Sequence, residues 1–373
     1  MLCGAVCERS NEFARLITLS ESSRTDSGCN NCTDRVLRPA VARPGHSTGN
    51  TSRNAIKLES KISQSPATSS VALIVGGDVV SHLISGEIAW RTIANGGRCT
   101  LLFTRTRIRK TAPPQLQRLF LIEHELLQTV AYRHLRRHPF PGSTQPLLNT
   151  INGWRSCAGG AIDAYELVDV NGIHSHELLD RIRPDVTVSV RCYQKFTPTT
   201  IAALSTSPCR PFLNLHPGRL PSYRGVNPFA WSMLNQDERA AWTLHHIDVD
   251  FDTGAIVDGV EVPLDYAESV HENLLRSVPC ATDLVWSAIR TAATGGTLAR
   301  IPQDDTAARY YSFLDSKDLR QLETQGITMC RPEPVIGTVL RAARLAGATR
   351  ASVAELATKM LAAVESNSAC LRD

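Results

Sequence analysis

Val71–Gly77 reads VALIVGG, five apolar residues closed by two glycines. A short, wholly apolar run ending in glycine is the pattern of a buried parallel strand that enters a tight turn into a helix. Outward from it, EIAWRTIANGG (Glu87–Gly97) reads as a helix stopped by glycine, and RCTLLFTR (Arg98–Arg105) as the next strand. From Gln115 to Arg137, Leu116, Leu119, Phe120, Leu126, Leu127 and Val130 recur at helical intervals. HSHELLDRIRPD (His174–Asp185) predicts a helix that stops before Pro184. DVTVSVRCY (Asp185–Tyr193), PFLNLHP (Pro211–Pro217) and AWTLHHI (Ala241–Ile247) predict further strands. Strands alternating with helices predict an α/β fold built on a Rossmann-like parallel sheet.

Composition divides the 373 residues into three segments. Residues 1–68 are rich in Ser, Thr, Asn and Arg and read as a disordered leader. Glu8, Glu12, Glu21, Asp26 and Asp34 count against a targeting peptide there. Residues 69–298 carry the strand and helix pattern, and residues 299–373 read as a small helical extension. In that extension RYYSFLDSKDLRQLETQGI (Arg309–Ile327) predicts a helix ending near Gly326. Ser352 and Glu355 have the spacing of a capping box ahead of a helical stripe of Val353, Leu356, Met360, Leu361 and Val364.

With 40 Lys and Arg against 36 Asp and Glu, a net charge of +4 is too mild to argue for nucleic acid or a membrane surface. No apolar run approaches the roughly 20 residues that span a bilayer. The basic runs TRTRIRK (Thr104–Lys110) and RHLRRH (Arg133–His138) read as solvated faces. Eleven scattered cysteines read as reduced thiols of a cytoplasmic protein. Cys3, Cys7, Cys29 and Cys32 have zinc-like spacing but no apolar pattern around them to build an outer shell, so no metal is expected. The glycine pair after the first strand does not open a nucleotide site. GGDVVS lacks the G-x-G-x-x-G spacing, and Asp78 would repel a phosphate; its expected role is to cap the following helix.

The stretch NLHPGRLPSYRG (Asn214–Gly225) carries the chemistry. Strand residues two apart share a face, so Asn214 and His216 project together near the carboxyl end of a strand, where open α/β sheets bind ligands. Pro217 keeps His216 extended. An amide and an imidazole aimed together suit attack on a carbonyl, with donors for a developing oxyanion and a base for a proton; a histidine satisfied within a turn is the plain alternative. LHHIDVDFDTGAIV (Leu244–Val257) then supplies Asp252, which can reach an imidazole across a cleft, beside Gly254, which permits a positive φ or a close approach. Asp248, Asp250 and Asp252 do not form a calcium loop, because its twelfth position is Gly259.

N-x-H-P-x-x-L-P-x-Y-R-G, with H-x-x-x-x-x-x-D-T-G downstream, resembles the 10-formyltetrahydrofolate-dependent formyltransferases of one-carbon metabolism. The resemblance covers roughly residues 70–290 and is most specific from 214 to 256. It implies a catalytic domain over 69–298 with Asn214, His216 and Asp252 as the catalytic trio and His245 as an auxiliary group. It also implies a folate co-substrate, 10-formyltetrahydrofolate, seated between Arg191–Phe196 and Ile247–Asp252. Tyr193, Gln194, Phe196, Ile247, Asp248 and Gly254 are then expected cofactor contacts, and Arg224 a contact to a folate carboxylate or to the acceptor. Members of the family formylate glycinamide ribonucleotide, methionyl-tRNA, amino sugars and hydroxyornithine, and a related hydrolase releases formate. Asp78 in the glycine turn disfavours a phosphorylated purine precursor, and a helical tail disfavours tRNA. A small-molecule amine or hydroxylamine is the expected acceptor, with residues 105–169 shaping its pocket. Hydrolase, methionyl-tRNA formyltransferase and a catalytically silent folate-binding scaffold are the alternatives. The sequence does not indicate an oligomeric state.

Overall fold

A computed structural model describes residues 69–105, 111–137, 148–205 and 210–370. The expected leader, the Cys3, Cys7, Cys29 and Cys32 cluster and most of the Thr104–Lys110 run lie outside the described residues. Among the described residues nine strands occur: β1 (Ser70–Val75), β2 (Arg98–Thr104), β3 (Ile162–Leu167), β4 (Val186–Val190), β5 (Phe212–His216), β6 (Arg224–Gly225), β7 (Arg239–His246), β8 (Ile256–Pro263) and β9 (Tyr310–Tyr311). Seven form one sheet in the order β3-β2-β1-β4-β5-β7-β8. β1 to β5 pair in parallel, as the alternation of strands and helices predicts, and β7 and β8 join antiparallel at one edge. The chain runs outward from β1 to β3 and then returns to β4. The topological switch therefore falls between the carboxyl ends of β1 and β4, the place where this architecture leaves a crevice.

β1 is buried along almost its whole length, as its unbroken apolar run requires. Helix α1 (Val79–Ala94) begins eight positions before the expected Glu87. Its start is hard to read in the sequence because Val79 to Gly86 are buried on every side, so no polar face marks them. Asp78 caps α1 as expected, its Oδ1 accepting from Ser81 N–H at 2.9 Å. The helix expected over 115–137 is present as α2 (Pro114–Phe120), a π-helical stretch Leu121–Ala131 and α3 (Tyr132–Arg137). Helix α4 (Ile173–Ile182) likewise stops before Pro184.

Helices α5 (Val270–Arg276) and α6 (Val278–Ala293) follow β8. Beyond them, Tyr310 and Tyr311 do not begin a helix; they pair in parallel with Arg224 and Gly225. Helix α7 (Ser316–Thr324) starts only after Asp315, whose carboxylate accepts from Lys317 and Asp318 N–H. Helices α8 (Pro332–Leu345) and α9 (Arg350–Cys370) complete the tail. The Ser352–Glu355 capping box does not form. Ser352 is already inside α9, its N–H donates to Thr349 Oγ1 and its hydroxyl meets His134. Val353, Leu356, Met360 and Val364 are buried, but Leu361 faces solvent. The buried tail residues join the same apolar core as β1, β2 and β4, packing α8 and α9 on the Leu121–Ala131 stretch. No helix of the described residues is long and apolar enough to cross a membrane.

Candidate active site

β5 alternates its side chains: Leu213 and Leu215 enter the core, and Asn214 and His216 take the other face. Asn214 Nδ2 donates to His245 Nε2 at 3.1 Å from the adjacent strand β7. His245 Nδ1–H donates to the His246 carbonyl at 2.8 Å, which leaves Nε2 as the acceptor that contact requires. His216 Nε2–H donates to the Tyr223 carbonyl at 2.7 Å, so the lone pair of neutral His216 sits on Nδ1. That Nδ1 faces Asp252 Oδ1 at 3.4 Å, with His245 Nε2 at 3.6 Å from the same oxygen. Asn214, His216, His245 and Asp252 all line one cavity of about 460 Å³.

Burial pushes the Asp252 carboxyl up, but the His216 and His245 imidazoles and the Gly225 N–H outweigh it and hold it down at about 2. Burial lowers His216 below its ordinary 6.5, against the opposing pull of Asp252.

Asp252 is held in an unusual backbone state, with φ of +58°. Its Oδ2 accepts from Gly225 N–H at 2.9 Å. Gln303 Nε2 donates to the carbonyls of Asp252 and Gly254, each at 2.8 Å. Gly254 is not among the residues that line the cavity. A Cβ there would stand 1.8 Å from the His246 carbonyl oxygen, so glycine is needed for loop and strand to touch. Gly254→Ala should destabilise the fold by about 1–3 kcal/mol and displace the loop, read as a lowered urea midpoint together with weakened turnover. An unchanged midpoint would contradict the contact.

Of the expected folate contacts, Tyr193, Gln194, Phe196, Ile247 and Asp248 line the cavity. Tyr193 is 41% exposed and its hydroxyl accepts from Arg191 Nη2 at 2.9 Å. The Phe196 ring is buried edge-on against Phe212, and Gln194 holds the Val168–Val170 turn through both ends of its amide. Arg224 does not line the cavity. Its guanidinium donates to Gln303 Oε1 and Asp305 Oδ1. Among the described residues no group of three or more His, Cys, Asp or Glu is arranged to hold a metal ion.

A buried ionic chain escaped the sequence reading. Arg191 Nε lies 3.1 Å from Asp78 Oδ1, and Arg191 Nη2 lies 2.7 Å from Glu123 Oε1. Glu123 Oε1 also takes His271 Nδ1 at 3.2 Å. Burial pushes the Glu123 carboxyl up, but Arg191 and His271 prevail and keep it well below the carboxylate range. The four residues come from the turn after β1, the turn after β4, the π-helical stretch and α5, so no local spacing links them. The one available signal was Glu123 and His124 on an otherwise apolar helical face.

Residues 171–279 match the family described as Formyl transferase. A methionyl-tRNA formyltransferase from Syntrophus aciditrophicus is 30% identical over 145 residues, 38% of this chain and 44% of that protein. A GDP-perosamine N-formyltransferase from Brucella melitensis is 36% identical over 74 residues, 20% of this chain and 27% of its own. The chain thus spans less than half the length of the curated relatives it matches. A solved N-formyltransferase from Helicobacter canadensis, in complex with folinic acid and dTDP-3-aminofucose, superposes with a TM-score of 0.43 at 15% identity over 73% of this chain and 79% of that chain.

Proposed function

We propose that the protein, whose residues 171–279 match the formyl transferase family, moves the formyl group of 10-formyltetrahydrofolate onto the amine of a small molecule, such as an amino sugar or a natural-product precursor. The observation that carries this reading is the meeting of Asn214, His216 and Asp252 at one cavity. Asn214 commits one amide N–H to His245 and has the second for the oxyanion that develops on the formyl oxygen. His216, its tautomer fixed by the Tyr223 carbonyl, offers Nδ1 to the proton of the attacking amine. Asp252 stabilises the imidazolium that results and holds that ring in place. The folate seat fits the cavity wall of Tyr193, Gln194, Phe196, Ile247 and Asp248. A cytoplasmic setting fits as well, since Cys99, Cys157, Cys192, Cys280 and Cys330 are free thiols.

The test is to incubate the protein with 10-formyltetrahydrofolate and a panel of amines while following tetrahydrofolate release by absorbance. Release that requires a small amine is the expected result. Methionyl-tRNA belongs in the panel because relatives of that name match the chain. Release without any amine would make the protein a hydrolase; folate binding without release would make it a silent scaffold. Asn214→Ala should lower kcat by about 10²–10³-fold, the usual loss when one oxyanion donor is removed. Near-normal turnover in that variant would remove Asn214 from the reaction.

A further inference from the structure

Tyr310 and Phe313 stand at the mouth of the cavity that holds Asn214, His216 and Asp252, and they are 61% and 62% exposed. Their backbone is pinned on both sides. Arg309 N–H donates to the Pro221 carbonyl, and Tyr310 and Tyr311 pair in parallel with Arg224 and Gly225. Trp231 Nε1–H donates to the Ser312 carbonyl at 3.1 Å, and Leu314 is buried in the core. The side chains divide: Tyr311 stacks on Tyr223 at 5.2 Å, whereas Tyr310 and Phe313 turn to the opening. Val249 and Phe251, about half exposed, line the same opening from the acidic loop. Large apolar side chains held in water around one opening mark a binding surface. Aromatic faces on a fixed backbone take up flat rings with little entropy left to lose. We propose that Tyr310 and Phe313 select the formyl acceptor by seating a flat, uncharged ring that carries its amine.

This subsite rests on the formyl-transfer reading above and narrows it. Two observations assign it to the acceptor and not to folate. Both expected folate segments, Arg191–Phe196 and Ile247–Asp252, lie inside the matched residues 171–279, whereas Tyr310 and Phe313 lie beyond them. The relatives share formyl transfer but are named for different acceptors, methionyl-tRNA in one and GDP-perosamine in another, so the wall outside the shared region is where acceptor choice can differ. Tyr310 also pairs with Arg224, next to the Gly225 N–H that binds Asp252 Oδ2, which places it beside the Asp252–His216 pair that receives the amine proton. Charge narrows the class further. Among the described cavity residues four carboxylates, Glu123, Asp248, Asp250 and Asp252, meet two cations, Arg191 and Lys195. Arg191 is paired with Asp78 and Glu123, and Lys195 Nζ lies 3.7 Å from Asp250 Oδ1. Such a wall favours an amine and opposes a phosphate.

The experiment uses the full chain, 10-formyltetrahydrofolate and amines in matched pairs: benzyl and methyl glycosides of aminohexoses, and benzyl-capped and methyl-capped alkyl diamines. In the pair formylated best, the aryl member should have a KM at least about 10-fold lower. Tyr310→Ala combined with Phe313→Ala should bring the two KM values to within about twofold of each other, while folinic acid binds as before. Tyr310→Phe, which keeps the ring, should keep the preference; its loss there would overturn stacking in favour of a hydroxyl contact. Equal KM values in the unaltered protein, an aryl preference that survives the double variant, or weaker folinic acid binding in that variant overturns the subsite and leaves the formyl-transfer reading standing. Should the double variant fail to fold, Phe313→Ser alone, at an exposed position outside helix and strand, must still reduce the preference, and an unchanged ratio overturns the subsite. Transfer by the unaltered protein to no amine of any pair overturns the small-amine reading and the subsite with it.

Discussion

Asp252→Asn should lower formyl transfer by about 10²–10⁴-fold, the range of a lost general acid–base function. The amide retains the shape of the carboxylate and can still accept from Gly225 N–H, so the thermal melt should move little. Two things change at His216. The imidazolium loses the charge 3.4 Å from Nδ1 that stabilises it, and the new NH₂ can donate to Nδ1 and occupy the lone pair the reaction needs. The pH profile separates this from a folding defect. Asp252, held at about 2, stays ionised throughout the working range, while His216 titrates below 6.5. kcat/KM of the unaltered protein should therefore rise with pH through an inflection below 6.5. In Asp252→Asn that inflection should move lower still, since the carboxylate was raising the imidazole. Turnover close to that of the unaltered protein, or an inflection that stays in place, would contradict the assignment.

Arg191→Met should cost about 3–5 kcal/mol of stability, the penalty of leaving buried charge without its partner. The Asp78 side chain is fully buried and that of Glu123 nearly so, and both lean on this guanidinium. Urea unfolding measures the loss directly. Two further readings make the cause specific. Adding Glu123→Gln to Arg191→Met should recover part of the loss, a non-additivity expected only of groups in contact. The deficit should also shrink as pH falls, because a stranded buried carboxylate has a raised pKa and can neutralise itself by protonation. A loss below about 1 kcal/mol would mean that water reaches the cluster.

The sequence exposed most of this molecule wherever chemistry and periodicity coincide locally. β1, β2, β4, β5 and β7 were readable as apolar runs, and the Asp78 cap, Asn214, His216 and Asp252 from residue type and spacing. What stayed hidden has two physical causes. β3 and β8 are edge strands with half-exposed side chains such as Tyr165 and Asp258, so they lack the apolar density of the central strands. Long-range polar contacts have no local periodicity at all: Arg224 turns to Gln303, 79 residues away, and Arg191 to Glu123, 68 residues away. The short β6–β9 ladder was misread for the same reason, since two tyrosines before a helix look like part of that helix.

Gln303 makes the candidate site non-portable. The family match ends at residue 279, and the segment it delimits contains Asn214, His216 and Asp252. The left-handed backbone at Asp252 is nevertheless braced from position 303, and Gly225, which binds the carboxylate, is zipped to Tyr311. An excised piece bounded by the matched region would keep Asn214, His216 and Asp252 yet lose the splint that sets their angle. Trimming this fold should keep residue 303 and the Tyr310–Tyr311 strand, and also α7 to α9, whose buried residues belong to the same core.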